Sequence, residues 1–221
     1  MEGPVMSFLI LDIETVPRKG LDEVMEAEVA KRTERRLEQS SGDSEEAESL
    51  IRATSAFFGE VVCVAMRLLS NDGSHRDNIV CEKDERSTLE RFFDVVNHDS
   101  AQNVRFVHYN GLGFDIPFLI VRAAHCGIRI ANRKFTDLRR YSYNSHIDLM
   151  MFLANWDFRK IVSFDIACRS FGIPSPKEGE VTGETVAKAF EEENLEGIKK
   201  YAMKDVEATH MLFEKLKDYI L

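Results

Sequence analysis

The sequence predicts an α/β fold, with strands and helices packed around one core, and three observations carry that prediction. The continuous apolar run Phe8 to Leu11 ends abruptly in Asp12, which is the pattern of a central strand buried on both faces. Two further strand-like runs, Glu60 to Leu69 and Asp77 to Glu82, flank Asn71-Asp72-Gly73, a hairpin turn sequence. Near the C-terminus, Leu195, Ile198, Ala202, Val206, Phe213, Leu216 and Ile220 recur at helical spacing, giving a helix with one apolar face to lay on the sheet.

The remaining elements follow in chain order. Lys19 to Arg52 is charged and helix-prone, broken by Ser40-Ser41-Gly42-Asp43, and predicts two peripheral helices joined by a flexible turn. It stands as a helical insertion at about 19–54 between the first two strands, and the first three strands form an antiparallel meander. A helix over Glu85 to Asn97 turns Leu89, Phe92, Phe93 and Val96 to one side, and a fourth strand spans Val104 to Tyr109. Asn110, Gly111 and Gly113 make a loop into a helix whose Pro117 suits a first turn. The rest is mainly helical, with Ser163 as a cap and Gly172-Ile173-Pro174 as a stop. Residues 1–221 read as one domain, since that length buries a full core.

Composition bounds the function. With 44% hydrophobic and 30% charged residues, the chain is neither disordered nor collagenous. No apolar run approaches the ~18 residues of a membrane span, and Met1 to Ser7 lacks signal-peptide character, so a cytoplasmic location with no membrane partner is expected. Cys63, Cys81, Cys126 and Cys168 are too scattered for a zinc knuckle or redox pair and read as reduced thiols. The net charge of −9 has the wrong sign for holding nucleic acid by charge alone. A cluster of bound divalent cations would reverse that sign locally.

Asp12 and Glu14 lie two apart on a strand and therefore share a face. Like charges about 4 Å apart repel by roughly 4 kcal/mol at an effective dielectric near 20, so something positive belongs between them. Asp115, at the start of a helix, taken alone reads as a cap. Tyr201 and Asp205, four apart on the last helix, share a face and alone read as a surface hydrogen-bonded pair.

Taken together, these residues resemble the proofreading 3′→5′ exonuclease superfamily, in its four-carboxylate, tyrosine-containing subtype. Leu11-Asp12-Ile13-Glu14-Thr15-Val16-Pro17 resembles its first motif, Asn110-Gly111-Leu112-Gly113-Phe114-Asp115-Ile116-Pro117 its second, and Tyr201-Ala202-Met203-Lys204-Asp205 its third. The closest likeness is to the exonuclease domain of family B DNA polymerases and its stand-alone bacterial relatives. Lys200 stands where the sister subfamily has histidine, which points to the tyrosine subtype.

The resemblance implies a ribonuclease H-like fold, with a mixed five-stranded sheet flanked by helices. It also implies two Mg²⁺ ions, with Mn²⁺ as substitute, held by Asp12, Glu14, Asp115 and Asp205. Asp12 would bridge the two ions and Tyr201 would orient the attacking water. All-oxygen ligands suit magnesium, and two ions together relieve charge at the attacking and leaving oxygens. Thr15, Asn110 and Phe114 are candidates for gripping the terminal nucleotide, against turn bonding, capping and core packing. The implied partner is nucleic acid with a free 3′ end, single-stranded DNA first and RNA second. At 221 residues, no polymerase is expected beside the domain, so action in trans is implied. A protein partner is left open, and the alternative is a catalytically silent nucleic-acid-binding or assembly module of the same fold. His146 and Asp148 read as residues with local structural partners, and Arg32, Arg35 and Arg36 as a solvated helix face.

Overall fold

Strand β1 (Phe8–Pro17) is the axis of a mixed sheet in the computed structural model, which describes residues 7–40, 42–70, 72–175, 182–183 and 185–221. The expected turn residues Ser41 and Asn71, and the leading residues up to Met6, lie outside that set. β1 pairs antiparallel with β2 (Gly59–Leu69), which pairs antiparallel with β3 (His75–Cys81). On its other side β1 runs parallel to β4 (Arg105–His108), and β4 runs parallel to β5 (His146–Asp148). The order is β3-β2-β1-β4-β5, so the expected five-stranded mixed sheet and the meander at its start are both found.

β1 outruns its parallel neighbour. β4 pairs only with Phe8, Leu9 and Ile10, whereas β2 follows β1 to Pro17 through a bulge between Glu14 and Thr15. The carboxyl end of β1 therefore projects past β4 with one edge open, and a bulge at such a point re-aims side chains. This strand end hosts the acids because backbone and side chains there are free of a second ladder.

Alternation along β1 sorts its residues between two cores. Ile10 and Val16 pack into the cluster beneath α8 (Leu195–Ile220). Leu9, Leu11 and Ile13 pack with α3 (Glu85–Asn97) and α4 (Asp115–His125) on the opposite face. There Phe135 meets Phe92, Phe93 and Phe106 edge to face, with centroids 5.8, 5.5 and 5.1 Å away. Such pairs add about 0.5–1.5 kcal/mol each beyond area burial, and Phe92→Ala would cost about 3–5 kcal/mol.

The charged segment after β1 forms α1 (Glu23–Gln39) and α2 (Ser44–Ala53), as expected. Both begin on an aspartate cap: Asp22 accepts from the Met25 amide at 2.9 Å, and Asp43 from Glu45 at 2.8 Å. Arg32 pairs with Glu28 and its guanidinium lies 5.2 Å over the Phe58 ring, so it is engaged within its own neighbourhood. Beyond β5 come α5 (Leu149–Leu153), α6 (Phe164–Ser170) and α7 (Val186–Glu191). Ser163 caps α6 and Gly172, at φ 69°, follows its end.

Two elements differ from expectation. β3 starts at His75 rather than Asp77, because an edge strand paired on one side tolerates exposed polar residues that hide the alternation. β5 supplies the fifth strand of the expected sheet in a stretch expected to be mainly helical, because at three residues it is too short for a periodicity to register.

Candidate metal centre

β1 carries Asp12 and Glu14 on the face covered by α8, and α8 lays Asp205 over them. One carboxylate oxygen from each of Asp12, Glu14 and Asp205 lies within 4.8 Å of the other two. Glu14 is buried, while Asp12 and Asp205 are half-buried.

Asp115 reaches the same place from the opposite core. It opens α4, whose N-cap Phe114 makes no side-chain cap bond, and the Asp115 carboxylate instead accepts from the Ile13 amide of β1 at 3.2 Å. Ile13 lies beyond the last residue paired to β4, so its amide needs this partner. Asp115 is outside the group of three mutually close acids, yet near enough for its charge to act on Asp12 and Glu14.

Burial first, and then repulsion from Asp205 and Asp115, raise the Asp12 and Glu14 carboxyls well above the usual range. Burial pushes Asp115 up to about 6. Among the described residues no Lys, Arg or His forms an ion pair with Asp12, Glu14 or Asp115. A buried cluster of like charges without a cation is costly, and its donor atoms are all hard oxygen. The residues therefore fit magnesium or manganese.

Tyr201 sits one helical turn before Asp205; burial, then the Asp205 charge, raise the phenol far above its ordinary value. It stays neutral at physiological pH and keeps a proton to donate.

The loop of the second motif is held from below by Asp148. This fully buried carboxylate accepts from the amides of Asn110 and Leu112, both at 3.0 Å, and also caps α5 through Met150 and Met151. Burial acts to raise it, but the adjacent His108 ring and the Leu112 and Asn110 amides hold it below the usual carboxylate value. Asp148 thus has the structural role expected, with partners that no local pattern reveals. His108, which the sequence reading passed over, accepts from the Gly111 amide at Nδ1 (3.1 Å). Its Nε2 lies 3.2 Å from His146 Nδ1, and His146 Nε2 lies 3.0 Å from the Phe135 carbonyl. Burial keeps His146 neutral, pushed down to about 3. A Cβ on Gly111 would fall 2.3 Å from the His108 ring, so glycine is required for the loop to close on it. The one sequence signal for His108 is its position just before the motif.

The three residues expected at the terminal nucleotide have other partners as well. The Thr15 hydroxyl donates to the Ala53 carbonyl at 2.7 Å, tying the bulge to the end of α2. Asn110 adopts a left-handed φ of 65° at the turn. Phe114 is half-buried, edge-on to Phe118 with centroids 5.5 Å apart.

A five-stranded mixed sheet whose central strand end gathers acids against the last helix defines the class: an α/β, ribonuclease H-like fold of the exonuclease type. Residues 55–219 match the family described as "Predicted 3'-5' exonuclease related to the exonuclease domain of PolB", and the chain belongs to that family. The match begins after α2 and leaves out β1, so it does not cover Asp12 and Glu14. The family B DNA polymerase from the hyperthermophilic archaeon Pyrobaculum calidifontis superposes with a TM-score of 0.60 at 22% identity, over 98% of this chain and 25% of that one. E. coli exonuclease I in complex with a dT13 oligonucleotide aligns at TM-score 0.47 and 13% identity, over 96% of this chain and 41% of that one. The chain therefore spans a quarter of the polymerase and about two fifths of exonuclease I. Family and fold support a nuclease. Among the described residues no helix is long and apolar enough to cross a membrane.

Proposed function

We propose that this chain is a divalent-metal-dependent 3′→5′ exonuclease that hydrolyses single-stranded DNA, with RNA as a second substrate, and releases nucleoside monophosphates. The observation that carries this reading is the convergence of Asp12, Glu14 and Asp205 within 4.8 Å in a neighbourhood that holds their carboxyls above the usual range.

Asp12, Glu14 and Asp205 would hold magnesium or manganese, with Asp115 contributing from the Ile13 side. Two such ions, when bound, supply a water nucleophile at neutral pH and charge relief at the leaving oxygen. The chain's own residues do the rest. Tyr201, kept neutral, orients the attacking water by its hydroxyl. Asn110 is presented by a loop that Asp148 and His108 hold rigid, and with Thr15 and Phe114 it grips the terminal nucleotide. Thr15 keeps its oxygen lone pairs for a sugar hydroxyl after donating to Ala53. Residues 1–221 act as one domain, with a helical insertion at 19–54 tied to β1 by the Thr15–Ala53 bond.

The test is chromatography of the products from DNA and RNA oligonucleotides incubated with magnesium, manganese or chelator. Monophosphates released only with metal support the reading. An intact polymer under every metal would replace it with a catalytically silent binding module.

A further inference from the structure

An exposed aromatic surface next to the second-motif loop has no part in the site described above. Tyr141 is 74% exposed and Phe158 61% exposed. The Tyr141 ring packs on Trp156 with centroids 4.9 Å apart, and the Arg140 guanidinium lies 6.0 Å over Phe158. Trp156 is itself anchored, its Nε1 donating to the Tyr143 hydroxyl at 3.3 Å. Tyr141 and Trp156 both hold left-handed backbone, with φ of 61° and 59°. That conformation is unfavourable for residues with a bulky side chain and persists only where the surroundings impose it. Trp156 is half-buried between Tyr141 and Tyr143, whereas the rings of Tyr141 and Phe158 face solvent and core packing does not account for them.

The charge here is opposite in sign to that of the whole chain. Arg139, Arg140, Arg159 and Lys160 face two carboxylates, Asp137 and Asp157, which pair with Arg139, Arg159 and Lys160. Arg140 has no ion pair among the described residues. The groove of about 780 Å³ between α2, α7 and the end of β1 has the opposite balance, lined by Glu26, Glu45, Glu48, Glu60, Glu191 and Glu193. Of its four cations, Lys19, Arg52 and Lys83 are bound to glutamates, and Arg18 reaches Met25 and His125. That acid excess disfavours a polyanion, whereas the cluster around Arg140 carries an excess of cations.

The chain that follows Phe158 is joined to the second-motif loop. The Tyr109 hydroxyl donates to the Val162 carbonyl at 2.8 Å, and its ring lies 4.8 Å from Phe164. Tyr109 directly precedes Asn110, whose amide is held by Asp148 at the end of β5. From this geometry we infer that Arg140, Tyr141, Trp156 and Phe158 form a stacking platform for single-stranded nucleic acid, leading the strand toward the carboxylate site. Interleaved aromatics and cations are the chemistry that holds such strands without reading sequence. The inference rests on the exonuclease reading for its direction of travel, but not for binding itself.

The experiment compares wild type with Tyr141→Ala/Phe158→Ala and with Arg140→Gln, all at exposed positions away from the acids. Fluorescence anisotropy with a labelled thymidine oligonucleotide, in calcium, reads binding without turnover. The double variant is expected to lose about 10-fold or more in affinity for a long strand. Arg140→Gln should lower the salt slope by about 0.7. Hydrolysis of a trinucleotide should be unchanged in both. Long-strand affinity unchanged in both variants, or absent in wild type, would overturn the platform and leave the surface to a protein partner. Binding that depends on the platform, without hydrolysis by wild type, would uphold this inference while sinking the exonuclease reading.

Discussion

The Asp115 carboxylate accepts the Ile13 amide at 3.2 Å, and this bond ties the open edge of β1 to the start of α4 beside Asp12 and Glu14. Ile13 stands between Asp12 and Glu14 on β1, and Asp115 opens a helix that packs on the other face. The bond fixes where the fourth acid sits relative to the first two.

Asp115→Asn and Asp115→Ala separate the two duties of this residue. The asparagine oxygen can still accept from Ile13, whereas alanine leaves that amide unpaired, at a cost of about 1–3 kcal/mol. Denaturant titration should find the alanine variant less stable than the asparagine variant by about that amount. Metal-dependent hydrolysis should fall roughly 100-fold or more in both. Equal stability of the two variants would contradict the bond, and retained activity in asparagine would contradict the ligand role.

The raised carboxyls make stability depend on pH and metal. A group with a folded pKa above its unfolded value contributes stability that is full below the unfolded pKa and lost as pH rises through the folded one. For Asp115 the window runs from about 4 to about 6, and Asp12 and Glu14 act in the same direction. Without metal, Tm should fall between about pH 4 and pH 7. Manganese should raise Tm more at pH 7 than at pH 4. A scanning-calorimetry series with no metal-dependent difference between the two would count against the cluster as a metal centre.

Tyr201→Phe removes only the hydroxyl. Activity should drop roughly 10–100-fold, while manganese affinity, read by calorimetric titration, stays near wild type. Loss of metal affinity to the same extent would make Tyr201 a ligand-positioning residue and not a water-orienting one.

Asp148→Asn tests the support beneath the loop. One carboxylate oxygen serves Leu112 and the other Asn110, so an amide group must present its NH₂ to one of these amides. Stability should fall by about 1–3 kcal/mol, with KM rising as the Asn110 loop loosens. Unchanged stability and kinetics would show that the loop is held elsewhere.

The sequence made the acids legible for physical reasons that act over short range. Asp12 and Glu14 alternate on a strand, Tyr201 and Asp205 repeat on a helix, and these periods place each pair on one face without knowledge of the fold. Bringing the pairs to Asp115 needed the order of motifs, because Ile13 and Asp115 are 102 residues apart. The position of strand β5 was not legible because three residues carry no period. Asp148 was read as structural, but its hold on Asn110 and Leu112, 38 and 36 residues away, leaves no local trace. The exposed rings of Tyr141 and Phe158 went unnoticed because isolated aromatics in loops resemble core residues until burial is known. Asn110, Thr15 and Phe114 show why short motifs do not assign contacts: each already has a bond or packing role that fits its residue type.

Whether the converging carboxylates drive metal-dependent cleavage from a 3′ end is decided by gel analysis of a 5′-labelled single strand. Wild type and Asp12→Ala would be compared in magnesium, with a second strand blocked at its 3′ end. A ladder shortening stepwise from the 3′ end is expected, absent in Asp12→Ala and slowed on the blocked strand. Release of the labelled 5′ nucleotide first, or the same ladder from Asp12→Ala, would contradict it.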